Sequence, residues 1–135
     1  MSVTLAIPYA DMAKQEINDF REKFDCGEPS LNEYLVNTMG QHNKKGITPS
    51  FLLPSTDPLH PLIGYYSLTH GQLDCSGLTE STKKKLKLPN VVPILRLSRL
   101  AIDKHFEKKG FGKILMAEIF YRAQISKQNG GCVFI

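Results

Sequence analysis

The stretch that decides the fold is Arg96-Leu97-Ser98-Arg99-Leu100-Ala101-Ile102-Asp103-Lys104-His105-Phe106-Glu107-Lys108-Lys109-Gly110-Phe111-Gly112-Lys113. It opens as a strand, passes through a short basic loop with two glycines, and enters an amphipathic helix over residues 110–126. Phe111, Ile114, Leu115, Ile119 and Ala123 recur on one face of that helix, and Met116 and Phe120 widen it. Gly130 and Gly131 then lead into an apolar segment at 132–135, so the run reads as a βαβ unit. The loop suits a pyrophosphate. Glycines let the backbone approach an anion closely, the helix N-terminus adds unpaired N–H donors, and Lys108, Lys109 and Lys113 add charge. The same residues also read as a solvated strand-to-helix turn. A Walker A loop is excluded because Ile114 follows Gly112-Lys113, and a dinucleotide fingerprint is excluded because Leu115 stands at the third glycine position.

Working outward, residues 91–102 read as one long strand. Strict alternation sends Arg96 and Arg99 to opposite faces, which predicts a bulge between them. Residues 62–70 and 50–53 read as two further strands, separated by a turn with Pro54, Asp57, Pro58 and Pro61. Residues 3–9 read as a first strand. Asp11 is the expected cap of a helix burying Ala13, Ile17, Phe20 and Phe24. Ser30 and Glu33 form a capping box ahead of a stripe of Leu31, Tyr34, Leu35, Thr38 and Met39, ended by Gly46. Residues 76–88 read as a short helix with Lys83, Lys84, Lys85 and Lys87. Strands interleaved with helices predict one α/β (α+β) domain whose sheet holds parallel and antiparallel pairs.

The 135 residues fit a single domain. A net charge of +4 and a pI near 9.0 favour an anionic partner. No apolar run is long enough to span a bilayer, and the first residues show no signal-peptide pattern, so a cytoplasmic protein is expected. Cys26, Cys75 and Cys132 are odd in number and scattered. The four histidines form no short-spaced ligand pair with them, so neither a disulfide framework nor a metal site is expected.

Leu100-Ala101-Ile102-Asp103 running into Gly110-Phe111-Gly112 resembles the acetyl-CoA loop of the GCN5-related N-acetyltransferase (GNAT) superfamily. Glu107 departs from that pattern, standing where Gln or Arg is usual. Phe24-Asp25-Cys26-Gly27 with Leu31, Tyr34 and Leu35, the strand Gly64-Tyr65-Tyr66-Ser67-Leu68, and Leu97-Ser98-Arg99-Leu100-Ala101-Ile102-Asp103 resemble three ordered motifs of the acetyltransferase-type toxins of toxin–antitoxin modules. The resemblance implies a GNAT fold, with splayed central strands and flanking helices, reaching only its fifth strand by residue 135. It implies acetyl-CoA as donor. The arm of that donor would lie along Leu100, Ala101 and Ile102, and its pyrophosphate on Lys108, Lys109, Gly110, Phe111, Gly112 and Lys113. It implies acetyl transfer to the α-amine of an aminoacyl-tRNA, with a ribbon–helix–helix antitoxin and a homodimer as partners. Arg96, Arg99, Lys83, Lys84 and Lys85 are then candidates for tRNA phosphates, although the lysines read equally well as a solvated helix face. The family's general-acid tyrosine falls beyond Ile135, so no catalytic residue is assigned. Two alternatives stay open: an acetyltransferase of small amines or protein N-termini, and an inactive truncated toxin that still binds tRNA, acetyl-CoA or antitoxin.

Overall fold

Five strands pair in the order in which the chain makes them: β1 (Ile7–Pro8), β2 (Ser50–Pro54), β3 (Leu62–Asp74), β4 (Val91–Ile102) and β5 (Val133–Phe134). The first four are antiparallel and β5 runs parallel to β4, which makes the sheet mixed, as expected. The structure is a computed structural model that describes residues 5–46, 48–74, 77, 79–81, 91–130 and 133–134, with backbone only for 70–74, 91–93, 124–130 and 133–134.

β3 and β4 form the spine, in register from Gly64 opposite Ile102 to Asp74 opposite Val91. Gly64 is required there: a Cβ would sit 2.5 Å from the Ala101 carbonyl oxygen and 2.7 Å from Ile102 Cδ1. The bulge read from the sequence falls at Ser98, because Ser67 faces Arg99 while Leu68 faces Leu97. The Ser98 hydroxyl donates to the Ser67 carbonyl at 3.1 Å. The extra residue restores phase, so Arg96, opposite Thr69, and Arg99, opposite Ser67, share one face. On its other side β4 pairs with β5 only at Ile94 and Leu95. From Arg96 to Ile102 that edge has no described strand beside it.

Helix α1 (Lys14–Lys23) precedes α2 (Pro29–Glu33), which passes through a π turn at Tyr34–Thr38 into α3 (Met39–Lys44); α4 (Phe111–Gly130) follows β4. Alternation along β3 sends Tyr65 and Tyr66 to opposite faces of the sheet. Tyr65 joins Ile17, Phe20, Phe24, Tyr34, Leu35 and Met39 in one core. Tyr66 joins Leu53, Leu68, Leu95, Leu115, Ile119 and Ala123 in the other. The second core contains a polar anchor. The Tyr66 hydroxyl donates to Glu118 Oε1 at 2.6 Å, Arg122 Nε donates to Tyr66 Oη at 2.6 Å, and the Ala6 N–H donates to Glu118 Oε2 at 2.9 Å.

Several sequence expectations are corrected. Of the described residues of the expected first strand, only Ile7–Pro8 pair. Asp11 lies in a 3-10 turn (Tyr9–Asp11), and exposed Ala13 stands at the N-cap of α1 without a side-chain cap. The capping box does not form. Pro29, whose fixed φ suits the first helical position, makes Glu28 the N-cap and draws Ser30 into the first turn. Ile114 and Phe120 are 36% and 56% exposed, and Glu118 takes a place on the buried face instead. The expected helix at 76–88 and Cys132 lie outside the described residues. Among the described residues, no helix is long and apolar enough to cross a membrane.

Candidate functional site

The strand-to-helix loop keeps its shape through backbone conformation. Asp103 caps a 3-10 turn (Lys104–Phe106), its Oδ1 accepting the His105 N–H at 2.9 Å. Its Oδ2 accepts the Asp25 N–H at 3.1 Å, and the Lys104 N–H donates to the Asp25 carbonyl at 2.9 Å. The Phe24–Gly27 motif and the Leu97–Asp103 motif, 78 residues apart between Asp25 and Asp103, are therefore bonded to each other. Asp25 also accepts from the Gly27 N–H and from Asn32, and these bonds hold its carboxyl below the usual range.

Past the 3-10 turn, Lys108 (φ 61°) and Gly110 (φ 87°) are both left-handed. Alternating φ of this kind turns successive N–H groups toward one side and makes an anion-binding concavity. The first helical bond of α4 runs from the Ile114 N–H to the Gly110 carbonyl, which leaves the N–H groups of Phe111, Gly112 and Lys113 without intrahelical partners. Gly112 needs no special φ, and a Cβ on it or on Gly110 would meet nothing within 4 Å. Packing within the chain therefore gives no reason for glycine at 112.

A pocket of about 340 Å³ opens here. It is lined by Leu100, Ala101 and Ile102 at the β4 edge that has no described strand beside it, by Lys108, Gly110, Phe111 and Gly112, and by Cys26, Leu31 and Phe106 among others. Seven of the nine residues expected from the sequence thus come together; Lys109 and Lys113 are exposed nearby and do not line it. Glu28 and Glu107 are exposed and line it too, so their carboxylates oppose an anion there. Burial pushes the Cys26 thiol up, which keeps it protonated and a poor nucleophile. A second concavity, about 540 Å³, is lined by Leu31, Tyr34, Asn37, Ser98 and Arg99 among others. The two hollows share Leu31 and follow one another along β4.

Arg99 is half-buried in the second hollow, and Arg96 is exposed on the same face of the sheet. Lys83, Lys84 and Lys85 lie outside the described residues. Sequence reading missed Cys26, Glu28, Leu31 and Phe106 as pocket residues, and it missed Tyr34 beside Arg99. Spacing carries no sign of a contact between α2 and β4. None of Tyr65, Tyr66 and Tyr121 is placed as a general acid. The Tyr65 hydroxyl donates to the Leu31 carbonyl at 2.6 Å, Tyr66 is committed to Glu118, and burial pushes both phenols up; Tyr121 is exposed on α4.

Among the described residues, Asp57, His60 and His105 place potential metal-ligand atoms within 4.8 Å of one another. The two imidazoles, however, are stacked 3.9 Å apart and 5° from parallel. An imidazole binds a metal in its own ring plane, and two parallel planes share no such point. In this arrangement the trio is not a chelate.

No family model matches the chain. It is 28% identical over 99 residues to a tRNA-acetylating toxin of Mycobacterium tuberculosis (strain ATCC 25618 / H37Rv), which covers 73% of this chain and 57% of the relative. The chain therefore spans little more than half the length of that relative. Among solved structures, AtaT complexed with acetyl-methionyl-tRNAfMet superposes with a TM-score of 0.71 at 27% identity, over 83% of this chain and 66% of AtaT. AtaTR bound with AcCoA gives 0.74 at 27% identity, over 96% and 72%. A tyrosine-to-phenylalanine mutant of KacT gives 0.70 at 29% identity, over 83% and 66%. The chain has the fold of the acetyltransferase-type toxins of the GNAT superfamily and resembles them in sequence.

Proposed function

We propose that this chain binds acetyl-CoA and transfers the acetyl group to the α-amine of an aminoacyl-tRNA, blocking translation. The observation that carries the reading is the pocket at the head of α4. It combines a left-handed backbone at Lys108 and Gly110, free N–H groups at Phe111 to Lys113, and open space over Gly112. That set suits a pyrophosphate. The Leu100–Ile102 edge, with no described strand beside it, has backbone groups available for an amide-bearing arm. The relatives support the choice of donor and acceptor, since AtaT is seen with acetyl-methionyl-tRNAfMet and AtaTR with AcCoA.

Acetyl-CoA would supply an acetyl thioester: a neutral amine attacks its carbonyl carbon, the C–S bond breaks, and coenzyme A leaves as the thiol with the proton that the amine gives up. The contribution of this chain is placement. The loop fixes the pyrophosphate end, the β4 edge aligns the arm, and Leu31 marks where the arm meets the second hollow, which would receive the acceptor. Arg99 and Arg96 lie on that face for tRNA phosphates, and Lys83, Lys84 and Lys85 are carried in the same role from the sequence. The same reading makes the protein a cytoplasmic homodimer neutralised by a ribbon–helix–helix antitoxin. A toxin seen with its antitoxin's C-terminus supports the antitoxin's part in it.

Gly112→Asp tests the reading, because its two effects have opposite sign. An acidic residue in the first turn of α4 favours the helix dipole and spares the fold, yet it sets a carboxylate and bulk where the pyrophosphate would lie. Calorimetry should show acetyl-CoA binding in the parent and its loss in the variant, with no fall in thermal stability. Equal binding by both would remove the cofactor site. Acetylated RNA that loses its label on mild alkaline deacylation would separate aminoacyl-tRNA from small-amine or protein acceptors.

A further inference from the structure

Two backbone irregularities face each other across the second hollow. One is the π turn at Tyr34–Thr38, which contributes Tyr34, Asn37 and Thr38 to the lining; the other is the bulge in β4, which contributes Ser98 and Arg99. Regular geometry would not produce this meeting, since without the extra residue at Ser98 the phase of β4 would turn Arg99 to the other face. Both kinds of irregularity cost ladder or helix regularity and recur at functional sites.

Their product is a specific contact. The guanidinium carbon of Arg99 lies 3.8 Å from the centroid of the Tyr34 ring. Tyr34 is itself fixed. It is 4% exposed, stacks on Tyr65 at 6.2 Å and 22°, and its hydroxyl lies 3.2 Å from His42 Nδ1. None of the ion pairs among the described residues involves Arg99. A guanidinium laid over an aromatic ring keeps its N–H donors free at its edge, in its own plane, where they form a fork matched to phosphate.

We propose that Tyr34 is a positioning residue: it holds the Arg99 guanidinium flat so that its fork is preformed for a phosphate near the 3′ end of the acceptor RNA, beside the Leu31 border where acetyl arrives. This rests on the acetyl-transfer reading above.

The test uses the full chain and an acceptor-stem RNA minihelix, with affinity read by fluorescence anisotropy at several salt concentrations, alongside KM and kcat for charged tRNA. Tyr34→Phe keeps the ring face and should stay near the parent. Tyr34→Leu should weaken RNA binding and raise the acceptor KM about tenfold, with kcat and acetyl-CoA affinity unchanged. Arg99→Lys keeps the charge but loses the fork, and should weaken RNA binding to a similar extent. That second variant keeps the test alive if Tyr34→Leu unfolds. RNA binding unchanged in Arg99→Lys, or in a folded Tyr34→Leu, overturns the inference while the parent still binds RNA and acetyl-CoA. A parent that binds acetyl-CoA but not RNA overturns the tRNA reading and this inference with it.

Discussion

The rings of His60 and His105 stack face to face, 3.9 Å between centroids and 5° from parallel, and Phe106 meets both edge-on at 6.4 and 4.9 Å. Phe106 in turn packs on Phe111, and both line the first pocket. The turn between β2 and β3, which carries His60, thus braces the wall of the pocket. His105→Ala removes the central ring. The expected result is a loss of about 1 kcal/mol in stability and acetyl-CoA binding several-fold weaker, read by calorimetry. Zinc should give no thermal stabilisation of the parent, because the parallel rings offer it no common site; a saturable upward shift would show that the rings turn to ligate it.

Glu107 bears on the same pocket through its charge. It is exposed and lines the pocket at the point where an anion is proposed to bind. Glu107→Gln removes its share of the repulsion, leaving that of Glu28, and keeps the backbone donors in place. Acetyl-CoA affinity should rise, by at most about fivefold given the solvent screening of an exposed charge. The gain should shrink as salt is raised. Weaker binding by the variant would mean that the carboxylate faces away and holds the loop instead.

Asp103 explains why two motifs distant in sequence occur together. It is 3% exposed and accepts from the Asp25 and His105 N–H groups, so it ties the Phe24–Gly27 turn to the end of β4. Asp103→Asn keeps the shape but sets an amide donor against one of those N–H groups. The expected cost is about 1–3 kcal/mol, measurable by denaturant unfolding, together with weaker acetyl-CoA binding as the 3-10 turn loosens. A variant as stable as the parent would show that one oxygen suffices for both donors.

What the sequence revealed follows from which physical signals are local. β4 has the bounds read from its run of apolar residues. The bulge was legible because Arg96 and Arg99 could not both suit a regular strand, and the loop was legible because Gly110 and Gly112 sit beside lysines at a helix start. Helix starts were less legible. Ser30 and Glu33 satisfied the capping pattern, but Pro29 prevailed by starting the first turn two residues earlier, with Glu28 as the N-cap. The α4 face was misread at Ile114 and Phe120 because a polar residue, Glu118, is buried by its bonds to Tyr66 and Ala6. The Tyr34–Arg99 contact spans 65 positions and depends on two backbone irregularities at once. Residue spacing alone does not encode it.

Tyr65 and Tyr66 give the fold a defined alkaline limit. Both side chains are fully buried, and burial pushes both phenols upward, helped at Tyr66 by the Glu118 carboxylate that its hydroxyl bonds. A phenol with a folded pKa above its unfolded value of about 10 contributes stability that is fully present below pH ~10 and declines as pH rises beyond it. Each such group should steepen the decline by about 1.4 kcal/mol per pH unit. Tyr66→Phe loses the bonds to Glu118 and Arg122, so it should be less stable at neutral pH, yet its stability should fall less steeply above pH ~10. Urea unfolding across that range, followed by phenolate absorbance, reads both quantities. The phenolate signal of these two residues should appear only with unfolding. An early signal lost in Tyr66→Phe, from a chain still folded by circular dichroism, would mean that Tyr66 is open to solvent and that the polar anchor between β3 and α4 is looser than the bond lengths imply.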